Sequence, residues 1–116
     1  ELACTGLTEE AAQRVGKAYD VGVFPLAANG RALIMNGGNG VIKVLVGKTH
    51  REILGVHIYG PRATDLISEA CLAVGMEATS DEVLATIHGH PTLGEALREA
   101  VLAAEGRAVH LPPAKE

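Results

Sequence analysis

Val41-Ile-Lys-Val-Leu-Val46 and Ile53-Leu-Gly-Val-His-Ile-Tyr59, joined by the polar link Gly47-Lys-Thr-His-Arg-Glu52, decide the fold. Both runs are short, rich in Val and Ile, and bounded by glycine or polar clusters, which predicts two strands. The link makes them an antiparallel hairpin with a loop a little longer than the favoured lengths. They are expected at the centre of the sheet. His57 alternates with Val56 and Ile58 and reads as a residue on a sheet face, while His50 in the link reads as solvated.

Working outward, Asn36-Gly-Gly-Asn-Gly40 precedes the hairpin. Bare backbone amides can cradle a phosphate. However, no G-x-G-x-x-G enters a helix and no G-K-[ST] occurs, so a turn before a strand is the simpler reading. Arg31-Ala-Leu-Ile-Met35, bracketed by turn signals, predicts a short helix. From Tyr19 to Leu26 the alternation of Tyr19, Val21 and Val23 with Asp20 and Gly22 predicts a strand, with Pro25 at an edge or an end. Leu2–Thr5 reads as a short strand closed by Gly6. Thr8 then caps a helix that carries Glu9 and Glu10 in its first turn and stops near Gly16.

On the other side, Ala63, Leu66, Ile67, Ala70, Cys71 and Val74 draw the stripe of an amphipathic helix ending near Gly75, with Cys71 expected as a small buried hydrophobe. Thr79 and Glu82 form a capping-box pattern ahead of a short helix over Val83–Ile87. A last helix is expected from about residue 91 or 92 to about Gly106. There Pro91 suits the first position, Thr92 and Glu95 repeat the capping box, and Leu93, Ala96, Leu97, Ala100, Val101 and Ala104 form the apolar stripe. One domain is expected over residues 1–110, with 111–116 as a tail.

Composition narrows the function. Apolar residues make up 47% and charged residues 21%, an ordinary globular balance, and no apolar run reaches the roughly 20 residues that span a bilayer. The net charge of -4 and three aromatic residues supply neither a basic field nor stacking platforms, so neither nucleic acid nor membrane is an expected partner. Cys4 and Cys71 form no C-x-x-C pair, and reduced thiols in the cytoplasm are expected. The chain opens on Glu1 with no initiator Met, basic n-region or apolar signal core, so no targeting segment is expected and the chain reads as part of a longer protein.

Chemistry concentrates in His88-Gly-His-Pro-Thr-Leu-Gly-Glu95. His90 at a helix mouth with Glu95 in reach of one imidazole nitrogen would be an oriented general base. A metal site on His88, His90 and Glu95 would lack further matched ligands. The plainest reading makes Glu95 half of a capping box with no chemistry, and pattern alone favours it.

Taken with Gly6-Leu-Thr-Glu-Glu-Ala-Ala12 and Ile53-Leu-Gly-Val-His-Ile-Tyr-Gly60, the His88–Glu95 segment closely resembles the C-terminal interface domain of the dihydrolipoamide dehydrogenases, within the pyridine nucleotide-disulfide oxidoreductases. The resemblance covers nearly the whole chain. It implies an α+β fold, an antiparallel sheet flanked by helices that forms much of a homodimer interface. It further implies that His90 and Glu95 are the acid-base pair presented to the partner subunit's redox disulfide, with His90 and Pro91 near the partner's FAD. The parent enzyme would use FAD and NAD and oxidise a lipoyl domain of a 2-oxo acid dehydrogenase complex. This chain, lacking G-x-G-x-x-G and a redox C-x-x-x-x-C, would bind neither cofactor and would not turn over alone. Mercuric and glutathione reductases carry related domains, and a free-standing, non-catalytic dimerisation module is the alternative. Gly94, where Ser is common in the family, is a departure expected to loosen the helix start.

Overall fold

The computed structural model describes residues 1–112. Four strands, β1 (Leu2–Gly6), β2 (Tyr19–Pro25), β3 (Val41–Gly47) and β4 (Ile53–Tyr59), make one antiparallel sheet in the order β1-β4-β3-β2. The hairpin of β3 and β4 lies at its centre, as its unbroken apolar runs require, and β2, which ends on Pro25, lies at an edge. Five α-helices accompany the sheet: α1 (Glu9–Arg14), α2 (Gly30–Asn36), α3 (Ala63–Gly75), α4 (Ser80–Ala85) and α5 (Glu95–Ala104). The α+β architecture expected from the sequence is the one observed. Residues 113–116 of the expected tail lie outside the described residues, and Leu111 packs half-buried against the core.

Caps set several boundaries. The Thr8 hydroxyl accepts from the Ala11 N–H at 3.1 Å and starts α1. Glu82 returns to the Thr79 N–H at 2.6 Å, closing the capping box of α4. The Thr79 hydroxyl, which donates to the same carboxylate, and after it this N–H hold the Glu82 carboxyl below its ordinary value. Helix α4 ends at Ala85, short of the expected Ile87, because Thr86 is already extended, and Ile87 is 96% exposed.

One face of the sheet carries the main core. Phe24, Ile42, Val44, Val46, Val56 and Ile58 pack against Ala63 and Ala70 of α3 and against Ala96, Leu97, Ala100 and Val101 of α5. The opposite face holds a small cluster, Ala12, Leu45 and Leu54, beneath α1. A pairing irregularity between Leu45 and Val46 leaves Leu54 as an extra residue and shifts the alternation, so that Ile53 and Val56, three positions apart, both join the main core while Leu54 joins the small one. Cys71 is exposed, contrary to expectation. The face of α3 that meets the sheet carries Ala70 and Ala73, and Cys71 lies about 100° round the helix from Ala70, outside the contact.

Helix α5 lies so close to β2 that a Cβ on Gly22 would stand 1.9 Å from the Ala100 carbonyl oxygen and 2.5 Å from the Ala104 nitrogen. A glycine is required there because backbone meets backbone. The C-terminal end of the same helix is held by a polar hub that the sequence did not reveal. Arg51, in the link between β3 and β4, donates to Asp20 of β2 at 2.8 Å and to Glu105 at 3.3 Å. Buried Ser80 donates to the same Glu105 oxygen at 2.5 Å. The Ser80 hydroxyl, and after it Arg51, holds the Glu105 carboxyl below its ordinary value of 4.5 and outweighs the effect of burial.

Two outcomes are expected. Gly22→Ala should cost about 3 kcal/mol in denaturant unfolding, the upper range for overpacking, because neither backbone can yield. A folded value below the unfolded one means that Glu105 contributes stability above pH 4.5, and that this contribution is lost as pH falls through the folded value. Glu105→Gln should therefore be less stable at neutral pH and show a shallower acid decline than the wild-type chain in a pH series of thermal melts.

Candidate functional site

Beyond Thr86 the chain has no regular secondary structure until α5 and passes through a cis His90–Pro91 peptide on the way. The helix begins at Glu95, later than the expected residue 91 or 92. The reason lies in two hydrogen bonds. The Thr92 hydroxyl donates to the Gly89 carbonyl at 2.7 Å, and the Thr92 carbonyl accepts from the Asn29 side-chain amide at 3.0 Å. These two bonds turn Thr92 toward Gly89 and Asn29 and away from the first turn of α5. The capping box expected from Thr92 and Glu95 is therefore absent, since both side chains are engaged elsewhere.

Glu95 instead meets His90. The Nδ1–H of His90 donates to Glu95 Oε1 at 2.9 Å, with Oε2 at 3.1 Å. A carboxylate oxygen can only accept, so Nδ1 carries the hydrogen, and in the neutral ring the Nε2 lone pair has no partner among the described residues. The His90 side chain is 83% exposed and that of Glu95 26%. The pair is an imidazole oriented from below and open above, able to take a proton from a group outside this chain.

Helix α5 repeats the device one turn on. Glu99, buried, accepts from His110 Nδ1–H at 2.9 Å and from the backbone N–H groups of Val109 and His110 at 3.1 and 3.2 Å. His90, His110 and Arg98 share the wall of one cavity of about 330 Å³. His88 serves a different partner, its Nε2–H donating to Glu69 of α3 at 2.6 Å. The two loop histidines thus serve different carboxylates, and among the described residues no three His, Cys, Asp or Glu side chains gather as a metal site. His57 donates from Nε2 to the Leu7 carbonyl at 3.0 Å, a sheet-face residue with a structural partner, and His50 is exposed.

The sequence singled out His90 and Glu95, which the fold brings together, and Pro91, which sits exposed beside them. It missed Asn29, whose side-chain oxygen caps α2 at Ala32 while its amide pins Thr92. Its only signal was the turn-like Asn29-Gly30 pair. Glu69 and Glu99 had none, since a carboxylate on a helix is ordinarily solvated.

Residues 1–101 match the family model of the pyridine nucleotide-disulphide oxidoreductase dimerisation domain. The chain belongs to this family. It is 48% identical over 110 residues to the dihydrolipoyl dehydrogenase of Bacillus subtilis, covering 95% of this chain and 23% of that protein. It is 42% identical over 111 residues to the mitochondrial dihydrolipoyl dehydrogenase 1 of Arabidopsis thaliana, covering 96% of this chain and 22% of that one. Among solved structures, the HOCl-induced flavoprotein disulfide reductase RclA of Escherichia coli superposes with a TM-score of 0.81 at 27% identity, over 86% of this chain and 23% of that one. LpdA of Mycobacterium tuberculosis shares the fold at the same TM-score of 0.81 and 24% identity, over 86% of this chain and 22% of its own. The chain thus spans under a quarter of the length of these relatives and is the dimerisation domain of dihydrolipoyl dehydrogenase-like disulfide oxidoreductases.

The family name implies a pyridine nucleotide, and RclA is a flavoprotein. The glycine run does not fit either dinucleotide. The Gly37 and Gly38 amides donate to the Leu33 and Ala32 carbonyls, and the Gly38 and Asn39 amides to the Asn36 side-chain oxygen, so the run's N–H groups are engaged within the chain and are not offered to a pyrophosphate.

Gly94 is an open position. Its φ of -60° and ψ of -29° are ordinary helical values, and a Cβ there would find nothing nearer than 3.7 Å. Gly94→Ala should therefore raise stability by about 0.5–1 kcal/mol, chiefly through the unfolded state, and leave the His90–Glu95 contact intact. Denaturant melts with a His90 NMR signature check both parts.

Proposed function

We propose that this domain supplies His90 as the acid-base residue of a dihydrolipoyl dehydrogenase-like enzyme, acting across a homodimer interface on the partner subunit's disulfide site. The single observation behind this reading is an exposed imidazole whose Nδ1 is committed to Glu95 and whose Nε2 has no partner among the described residues. At 83% exposed, the ring is presented to the outside of this fold, where a partner subunit can meet it. A dithiol S–H brought to Nε2 gives up its proton there, and the thiolate so formed attacks a disulfide sulfur, forming one S–S bond as the other breaks. The protonated imidazole can return the proton to the thiolate that leaves. Glu95 keeps the ring in the productive tautomer and stabilises its charged form.

On this reading FAD and NAD belong to other domains of the parent enzyme, and His90 and Pro91 approach the partner's flavin. The donor is a protein-bound dihydrolipoyl group, on a lipoyl domain of a 2-oxo acid dehydrogenase complex, oxidised with NAD as final acceptor. The names of the relatives support this choice of substrate. We place the protein in the cytoplasm, a placement supported by the two free thiols Cys4 and Cys71.

The test is His90→Gln in the full-length enzyme. Dihydrolipoamide oxidation should fall by ~10²- to 10⁴-fold, the loss typical of a general base, with flavin absorbance retained. Turnover at the wild-type rate would remove the role.

A further inference from the structure

The proposed chemistry makes no use of His88, yet this is the most firmly held imidazole of the loop. Its side chain is 9% exposed, and its Nε2–H reaches Glu69 on α3, an element that carries neither His90 nor Glu95. Its Nδ1 is buried and has no hydrogen-bond partner among the described residues. A buried donor–acceptor ring that leaves one nitrogen unpaired incurs a cost, so its retention needs a reason. The ring also flanks the start of α5, where a Cβ on Gly94 would stand 3.8 Å from His88 Cδ2. His88 is therefore one glycine from His90 along the chain and lies beside the residue that precedes Glu95.

We infer that His88, anchored by Glu69, is the positioning residue that sets His90 against Glu95. The importance of that role rests on the reading of His90 as the working base, but its geometry does not. An exposed contact such as His90–Glu95 is too weak and too screened to order a glycine-containing loop alone. Thr92 and Asn29 hold the loop on its far side. His88 and Glu69 hold it on the near side, where the ring forms a wall shared by the His90 cavity and an apolar cavity of about 470 Å³ between α3 and α4. If this hold is lost, the backbone at Gly89 gains freedom and the His90 ring leaves its carboxylate.

Long-range ¹H–¹⁵N NMR of the imidazoles in the full chain tests this. Wild-type His90 should show the single Nδ1–H tautomer. Glu69→Ala, a change at a carboxylate that touches neither His90 nor Glu95, should convert His90 to a mixture of tautomers. Glu69→Gln keeps an acceptor for His88 and should restore the single form. His88→Leu should behave like Glu69→Ala, while His88→Gln, whose amide can still donate to Glu69, should behave like wild type. A well-dispersed amide spectrum with an unchanged His90 tautomer in Glu69→Ala or His88→Leu would overturn the inference. Because the readout is independent of turnover, its failure is distinguishable from failure of the proposed base role in the His90→Gln enzyme.

Discussion

The arrangement of the candidate site depends on how closely α5 lies on β2. Backbone touches backbone at Gly22, and the side chains on either side of that point, Ala96, Leu97, Ala100 and Val101, are all buried. Small residues on the helix and a bare position on the strand allow an approach that a larger residue at either place would prevent. At its far end the helix runs into Glu105, held by Ser80 and Arg51. Contact along the shaft and a polar hub at the end leave α5 no room to slide or turn. The backbone of its first residue, Glu95, is thereby fixed, and the loop before it meets a carboxylate carried on a rigid element.

The ionic groups fall into two energetic classes. Arg51, Asp20, Glu105 and Ser80 join β2, the hairpin link, α4 and the end of α5, and their side chains are largely shielded. Such a network couples distant elements, and breaking it strands a partly buried charge. The His90–Glu95 pair is different. With the imidazole mostly in solvent, its net contribution to stability is at most about 1 kcal/mol. Glu99 shows what a structural carboxylate looks like on the same helix: buried, it accepts from two backbone N–H groups and one ring, and so clamps the segment that follows α5. Glu95 accepts only from His90 among the described residues and clamps nothing else.

The sheet and its core were legible because they rest on local pattern. Apolar runs of strand length, their polar link and the stripe of α5 specify which faces are buried, and tertiary packing agrees with them. Capping was legible where the cap is purely local, as at Thr8 and Thr79. It failed at Thr92 because Asn29, 63 positions away, holds the Thr92 carbonyl and turns the residue away from the helix start. Cys71 was misplaced because its spacing fits the edge of a stripe whose buried centre runs along Ala63, Ala70 and Ala73, with Leu66, Ile67 and Val74 only partly covered beside them. Arg51, Glu69 and Glu99 were illegible for a common reason. The value of a charged side chain lies in a partner brought by the fold, and no sequence period marks that partner.

The sequence left two incompatible uses for Glu95: half of a capping box, or the orienting partner of His90. A capping carboxylate turns back to the backbone at the helix start, as Glu82 does in α4. Glu95 follows a residue already in helical conformation and turns to the imidazole, while Thr92 looks the other way, to Gly89. Both halves of the capping reading are thereby used up in different bonds. What remains is a carboxylate carried on a rigid helix, spent on an exposed ring whose pairing adds little to stability. That imbalance supports the view that the pair is kept for what His90 does to a molecule outside this chain.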